Sequence, residues 1–149
     1  MKKAGFLLSI FIVLVGCDRS YHKFDKSFVD FKWPKEDHRS FEFEIPQDGL
    51  YDITFELSHG YTYPFANLPL HFSIVAPDKT QQNFDVDIPI SDANGRKTGD
   101  CALDICDLNF NIKNGVNLTR GQYKIVISNA FSGSYVPDII GIGLRVTHQ

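Results

Sequence analysis

The chain has 149 residues, 18 acidic against 15 basic side chains, a formal net charge of −3, and 43% hydrophobic residues. A mildly acidic surface offers no basic field to a polyanion, which excludes nucleic acid as an expected partner. The apolar content is enough for a folded core and argues against a disordered chain.

Lys2 and Lys3 lead into the apolar run Ala4–Val15, which ends in Leu14-Val15-Gly16-Cys17. A basic head, a short apolar middle and a small residue before the cut describe a bacterial secretory signal. The cysteine at the cut makes it a lipoprotein signal, with the Cys17 thiol as the point of lipid attachment. As a membrane span the run falls short, since about 12 residues at 1.5 Å each give roughly 18 Å against a hydrocarbon core of about 30 Å. Residues 1–16 are therefore read as signal peptide, 17–35 as lipidated N-terminus and linker, and 36–149 as the folded domain. Two or three acyl chains on Cys17 would anchor the protein stably, where one chain binds only marginally. Removal of Lys2 and Lys3 leaves 13 basic against 18 acidic residues, a mature charge of −5.

Beyond the signal, Tyr21, Phe24, Phe28, Phe31 and Trp33 make 18–35 too apolar for a solvated tether. Its second half is expected to pack on the domain as an edge strand. Period-two alternation then runs to the C-terminus. The sets are Phe41-Phe43-Ile45, Tyr51-Ile53-Phe55-Leu57, Leu70-Phe72-Ile74, Phe84-Val86-Ile88-Ile90, Leu108-Phe110-Ile112, Tyr123-Ile125-Ile127 and Ile140-Ile142-Leu144-Val146. Seven half-buried strands and no ten-residue stretch of helical period predict an all-β domain. One apolar face per strand requires two sheets closed on each other: an antiparallel β-sandwich of about 7–8 strands, immunoglobulin-like or jelly-roll. Turns are predicted at Gln47-Asp48-Gly49, Pro77-Asp78-Lys79 and Lys113-Asn114-Gly115, with Asp92-Ala93-Asn94-Gly95 in a longer connection reaching Gly99.

No catalytic constellation emerges. The chain lacks a G-x-S-x-G elbow, a P-loop and H-E-x-x-H, and His22, His38, His59, His71 and His148 show no metal-ligand spacing. Asp92–Gly95 resembles the start of a calcium loop, but the glycine comes early and Leu103 stands where the closing glutamate would fall. Asp100, Asp104 and Asp107 read as a charged loop face, and Asp85 and Asp87 as the solvent side of a strand. No enzyme, metal or cofactor is expected.

With Cys17 lipidated, Cys101 and Cys106 remain, in an oxidising compartment. A turn between them would permit a structural disulfide, the favoured reading; Leu103 and Ile105 read as strand positions would hold the thiols apart. The aromatics Trp33, Tyr61, Tyr63 and Phe65 fall outside or at the ends of the clear strands, where binding residues tend to sit. With Asn67 they form the expected partner surface, against the alternative that some simply cap the core.

The run Tyr63-Pro64-Phe65-Ala66-Asn67-Leu68 before an alternating strand resembles the gliding-motility lipoprotein H (GldH) family of Bacteroidetes. Further features match in order: Cys17, Trp33, Phe41–Ile45, the Asp92–Gly99 connection, Gly121-Gln122-Tyr123 and Ile140-Gly141-Ile142-Gly143-Leu144-Arg145-Val146. The chain departs from the family pattern at Arg96-Lys97-Thr98, at Phe131 and in its Cys101/Cys106 pair. The resemblance implies a non-catalytic envelope lipoprotein of the gliding and type IX secretion machinery, with protein partners there. Asp18-Arg19-Ser20-Tyr21 lacks the acidic run of a surface-export signal, so an outer-membrane position facing the periplasm is expected. The alternative is a surface-exposed glycan-binding sandwich.

Overall fold

The computed structural model describes residues 20–149; the signal peptide and Cys17 lie outside the described residues. Eleven strands follow in chain order: β1 Tyr21–Asp25, β2 Trp33–Pro34, β3 Arg39–Ile45, β4 Gly49–Gly60, β5 Asn67–Val75, β6 Gln81–Pro89, β7 Asp100–Ala102, β8 Ile105–Leu118, β9 Gly121–Asn129, β10 Tyr135–Val136 and β11 Ile139–His148. All seven predicted strands are present, as β3, β4, β5, β6, β8, β9 and β11. One sheet has the order β1-β11-β4-β8-β7 and the other β3-β9-β5-β6, while β2 and β10 form a small ladder of their own. Without the short β2, β7 and β10, the eight long strands run first-last-third-sixth in one sheet and second-seventh-fourth-fifth in the other. That is the jelly-roll order, which decides between the two sandwich types.

The alternation sets the core. Tyr51, Ile53, Phe55 and Leu57 of β4, with Ile142, Leu144 and Val146 of β11, are buried against Phe41, Phe43, Leu70, Phe72, Ile125 and Ile127 of the facing sheet. Phe55 meets Phe72 edge-on at 5.8 Å between ring centroids, a favoured aromatic geometry across the sheets.

The edge strand of the N-terminal segment lies in its first half, not its second. β1 pairs with β11 from Tyr21↔Val146 to Asp25↔Ile142. The second half instead folds through a tight turn at Val29–Phe31, with Asp30 and Phe31 in left-handed backbone conformations, into β2 and buries Phe28 and Trp33. Arg39 staples it down: the guanidinium donates to Asp25 at 2.8 Å and Asp37 at 2.5 Å, and lies 4.1 Å from the Phe28 ring centre.

Lys113-Asn114-Gly115 is not a turn. It lies inside β8, where the register to β4 slips around Ile53 and Gly115 takes φ +56°. The Asp52 carboxylate accepts the Gly115 amide at 2.7 Å, so a bulge absorbs the residues that looked like a loop.

The strands give the molecule two distinct ends. β1 begins level with Ile53, near the end that holds Gly49 and Leu118. Gly60, Ile105 and the loops after β4, β6 and β9 lie at the other end.

Candidate interaction surface

The loop between β4 and β5 is built as an end cap on the sandwich. The Gly60 amide donates to the Asp138 carbonyl at 2.8 Å, the Tyr61 amide to the Asp104 carbonyl at 2.8 Å, and the Lys97 ammonium to the Tyr63 carbonyl at 2.9 Å. Three neighbouring connections are thereby tied together at one end.

This arrangement divides the five residues expected to form a partner surface. Trp33 is fully buried and Tyr63 is 2% exposed, so both belong to the core; Tyr61 (54%), Phe65 (39%) and Asn67 remain exposed. The reason is local. Trp33 Nε1 donates to the Asp37 carbonyl at 2.7 Å and the Tyr63 hydroxyl to the Asn67 carbonyl at 3.2 Å, so each polar tip is satisfied while its ring goes inside. Burial, with the Asp87 charge, pushes the Tyr63 hydroxyl pKa well above the usual tyrosine value. Phe65 is itself packed, edge-on to Tyr63 and tilted 55° against Phe131. The Asn67 side chain donates to the Asp87 carboxylate at 2.9 Å.

Cys101 and Cys106 face each other in the β7–β8 register and are joined, S–S 1.99 Å, around a two-residue turn at Leu103-Asp104. Cys106 is buried and stands opposite His59 on β4.

His59 carried no signal in the sequence beyond its place on the inward face of β4. It is fully buried; Nδ1 lies 2.8 Å from the Gly60 carbonyl, and Nε2 has no hydrogen-bond partner. Nδ1 must carry the proton to make that bond, which leaves the Nε2 lone pair in the core. Burial lowers the His59 pKa; the Gly60 carbonyl and the Asp107 and Asp138 charges oppose this, and Lys97 adds to it. The unfolded chain therefore binds more protons than the folded one below the ordinary value of 6.5. Stability is full above that value and falls as the pH drops through it, by at most about 1.4 kcal/mol per pH unit from this residue. Urea denaturation at pH 7.5 and 5 should show that loss, and His59→Phe should flatten it.

A second polar cluster lies on the outer face of the larger sheet. Glu56 is only 6% exposed there; His22 Nε2 lies 2.6 Å from Oε2, and Arg145 bonds Oε1. With Lys26, Asp107 and Asn109 the cluster floors an open groove of about 350 Å³. Its sequence signal was the outward Arg145 in the Ile-Gly-Ile-Gly-Leu-Arg-Val run. His71 and Asp85 pair at 2.6 Å on the exposed face of the other sheet, and Asp92 caps its own turn through the Asn94 and Arg96 amides. Among the described residues no group of three or more histidine, cysteine or acidic side chains could hold a metal.

Two closed sheets with a tied-down end cap define an all-β sandwich module. The chain belongs to the GldH lipoprotein family, which matches residues 19–146. It is thus a cell-envelope lipoprotein of a gliding-motility-associated family. No curated protein matches it in sequence. Among solved structures, the T13 particle of IBDV matches with 19% identity and a TM-score of 0.41, over 89% of this chain and 32% of the viral one. The infectious bursal disease virus VP2 subviral particle gives 17%, 0.40, 89% and 33%. TmCBM61 in complex with beta-1,4-galactotriose gives 12% and 0.35, over 90% of both chains. The chain thus spans about a third of the viral chains, and none of these likenesses bears on function.

Proposed function

We propose that this protein is an assembly component of the gliding and type IX secretion machinery, anchored through acylated Cys17 in the outer membrane and facing the periplasm. It works without catalysis, by holding envelope partners at the membrane. The observation that carries this reading is the family match across nearly the whole mature domain. A tether on Cys17 confines the domain to a thin layer, so a modest interface suffices for assembly. The Cys101–Cys106 bridge suits an oxidising compartment. The secreted and surface proteome of a deletion strain, complemented with the intact gene or with Cys17→Ser, tests the proposal. Loss of type IX cargo, restored by the intact gene and not by Cys17→Ser, is the expected result. An unchanged secretome overturns it, and retention of the protein on polysaccharide would then select glycan binding.

A further inference from the structure

We infer that the end of the sandwich remote from Cys17 carries a recess, clamped between Phe31 and the β7–β8 hairpin, that takes an apolar side chain of a partner protein flanked by lysine or arginine. This deepens the proposed envelope role and rests on the lipid anchor of that reading.

The recess measures about 270 Å³ and is lined by Phe31, Gly60, Asp104, Ile105, Asp138 and Ile140. That is room for one branched aliphatic or aromatic side chain. Of the lining residues Phe31 is 59% exposed, and Leu103, next in the hairpin to the lining residues Asp104 and Ile105, is 97% exposed. These two are the apolar residues of positive φ among the described residues, both at +54°. Leu103 occupies the first position of a two-residue hairpin loop, where a positive φ favours glycine. An exposed leucine gains nothing there from burial and is strained by its backbone. Strain of this kind persists where the surroundings impose it, and it gathers at binding sites. Here the Cys101–Cys106 bridge closes the hairpin directly behind Leu103, and the Tyr61 amide holds the Asp104 carbonyl at 2.8 Å. The Asp138 wall is held as well, because Thr62 Oγ1 donates to the Asp138 carboxylate at 2.9 Å. The hairpin and the Asp138 wall are thus preformed.

Charge and position select the occupant. The charged residues lining the recess, Asp104 and Asp138, are both acidic, which favours a basic flank on the incoming segment. A lipid surface is the other cover for exposed Leu103, Ile105 and Phe31, and the acidic lining disfavours it, since Asp104 and Asp138 are repelled by anionic headgroups. β1 starts level with Ile53, and from there to Gly60 the sheet runs about 23 Å. From Tyr21 back to Cys17 the chain can reach at most about 14 Å. The attachment point therefore stays about 9 Å or more short of this end.

The mature lipoprotein in nanodiscs, titrated with labelled peptides, tests this. One peptide has a Leu-Trp-Leu core flanked by lysines, a second has the same core flanked by glutamates, and a third has a serine core flanked by lysines. The lysine-flanked apolar peptide should bind, the other two at least about tenfold more weakly. Leu103→Gly combined with Ile105→Ser should cost about the same factor. Leu103→Gly alone should leave the thermal midpoint unchanged or higher, which separates lost binding from lost folding. Equal binding by the three peptides, by wild type and variant, or no binding at all, overturns the inference. So does protection of Leu103 by added protein-free vesicles. In cells, benzoylphenylalanine at 103 should crosslink to protein where the same probe at exposed Leu50 does not. If the double variant secretes normally while the deletion does not, the recess loses its role and the envelope assignment stands. If the deletion is silent the assignment fails, and the peptide result alone decides the recess.

Discussion

Replacing Trp33 with alanine should lower stability by about 3–5 kcal/mol, the cost of emptying a fully buried indole site. Against a typical total of about 5–15 kcal/mol, that is a third or more of what holds a domain together. Three contacts fail together. The ring loses Phe28 at 5.5 Å, the Asp37 carbonyl loses the indole N–H at 2.7 Å, and β2 loses its fit beside Val136. The Trp33 and Pro34 carbonyls also accept the Asn129 amide, so damage spreads to β9. Chemical denaturation should show a much smaller loss for Trp33→Phe, and a change within about 0.5 kcal/mol for exposed Tyr61→Ala. A loss below about 1 kcal/mol for Trp33→Ala would mean that the segment ahead of β3 is an appendage, not part of the core.

That contrast marks what the sequence could and could not reveal. Alternation located seven of the eight long strands because burial on one face of a pleated strand is a local constraint. It could not see β1, whose Tyr21-His22-Lys23-Phe24-Asp25 has too few alternations to stand out from the aromatic segment around it. It also misplaced Trp33 and Tyr63, since an aromatic outside a clear strand looks exposed until its hydrogen-bonding carbonyl is known. Lys113-Asn114-Gly115 carries the same letters whether the chain turns or bulges. The difference is made by Asp52, a distant residue that caps the Gly115 amide. The jelly-roll order was hidden for a related reason, because pairing partners far apart in the chain leave no local mark. Of the expected interaction surface, Tyr61, Phe65 and Asn67 stayed outside, while the recess beside them depends on Phe31 and Ile140, which arrive from other parts of the chain.

The Gly141 and Gly143 positions lead to the second large effect. Neither glycine has a positive φ among the described residues, so backbone freedom is not what requires them. Space is. A Cβ on Gly141 would collide with the Phe24 ring and stand 2.9 Å from the Asp25 carbonyl oxygen. One on Gly143 would meet Phe24 at 2.5 Å, Glu56 Oε2 at 2.9 Å and the Lys23 carbonyl oxygen at 3.0 Å. A ring can rotate away, but the Lys23 and Asp25 carbonyls belong to β1 itself and cannot yield while β1 stays paired. Gly143→Val, and to a lesser extent Gly143→Ala, should therefore lift β1 from β11 at a cost of about 1–3 kcal/mol. Hydrogen exchange should show lost protection at Tyr21–Asp25 with β4 and β8 still protected. The His22–Glu56 contact would go with it, leaving Arg145 alone on a newly exposed Glu56. The consequence reaches function through the tether. On the proposed Cys17 anchor, Asp18, Arg19 and Ser20 alone separate the anchor from a docked β1, which limits how far the sandwich can turn over its membrane. With β1 released, that tether lengthens to Phe28, where the buried part of the segment begins, and the domain turns more freely, so the proposed assembly role should weaken even though the core remains folded.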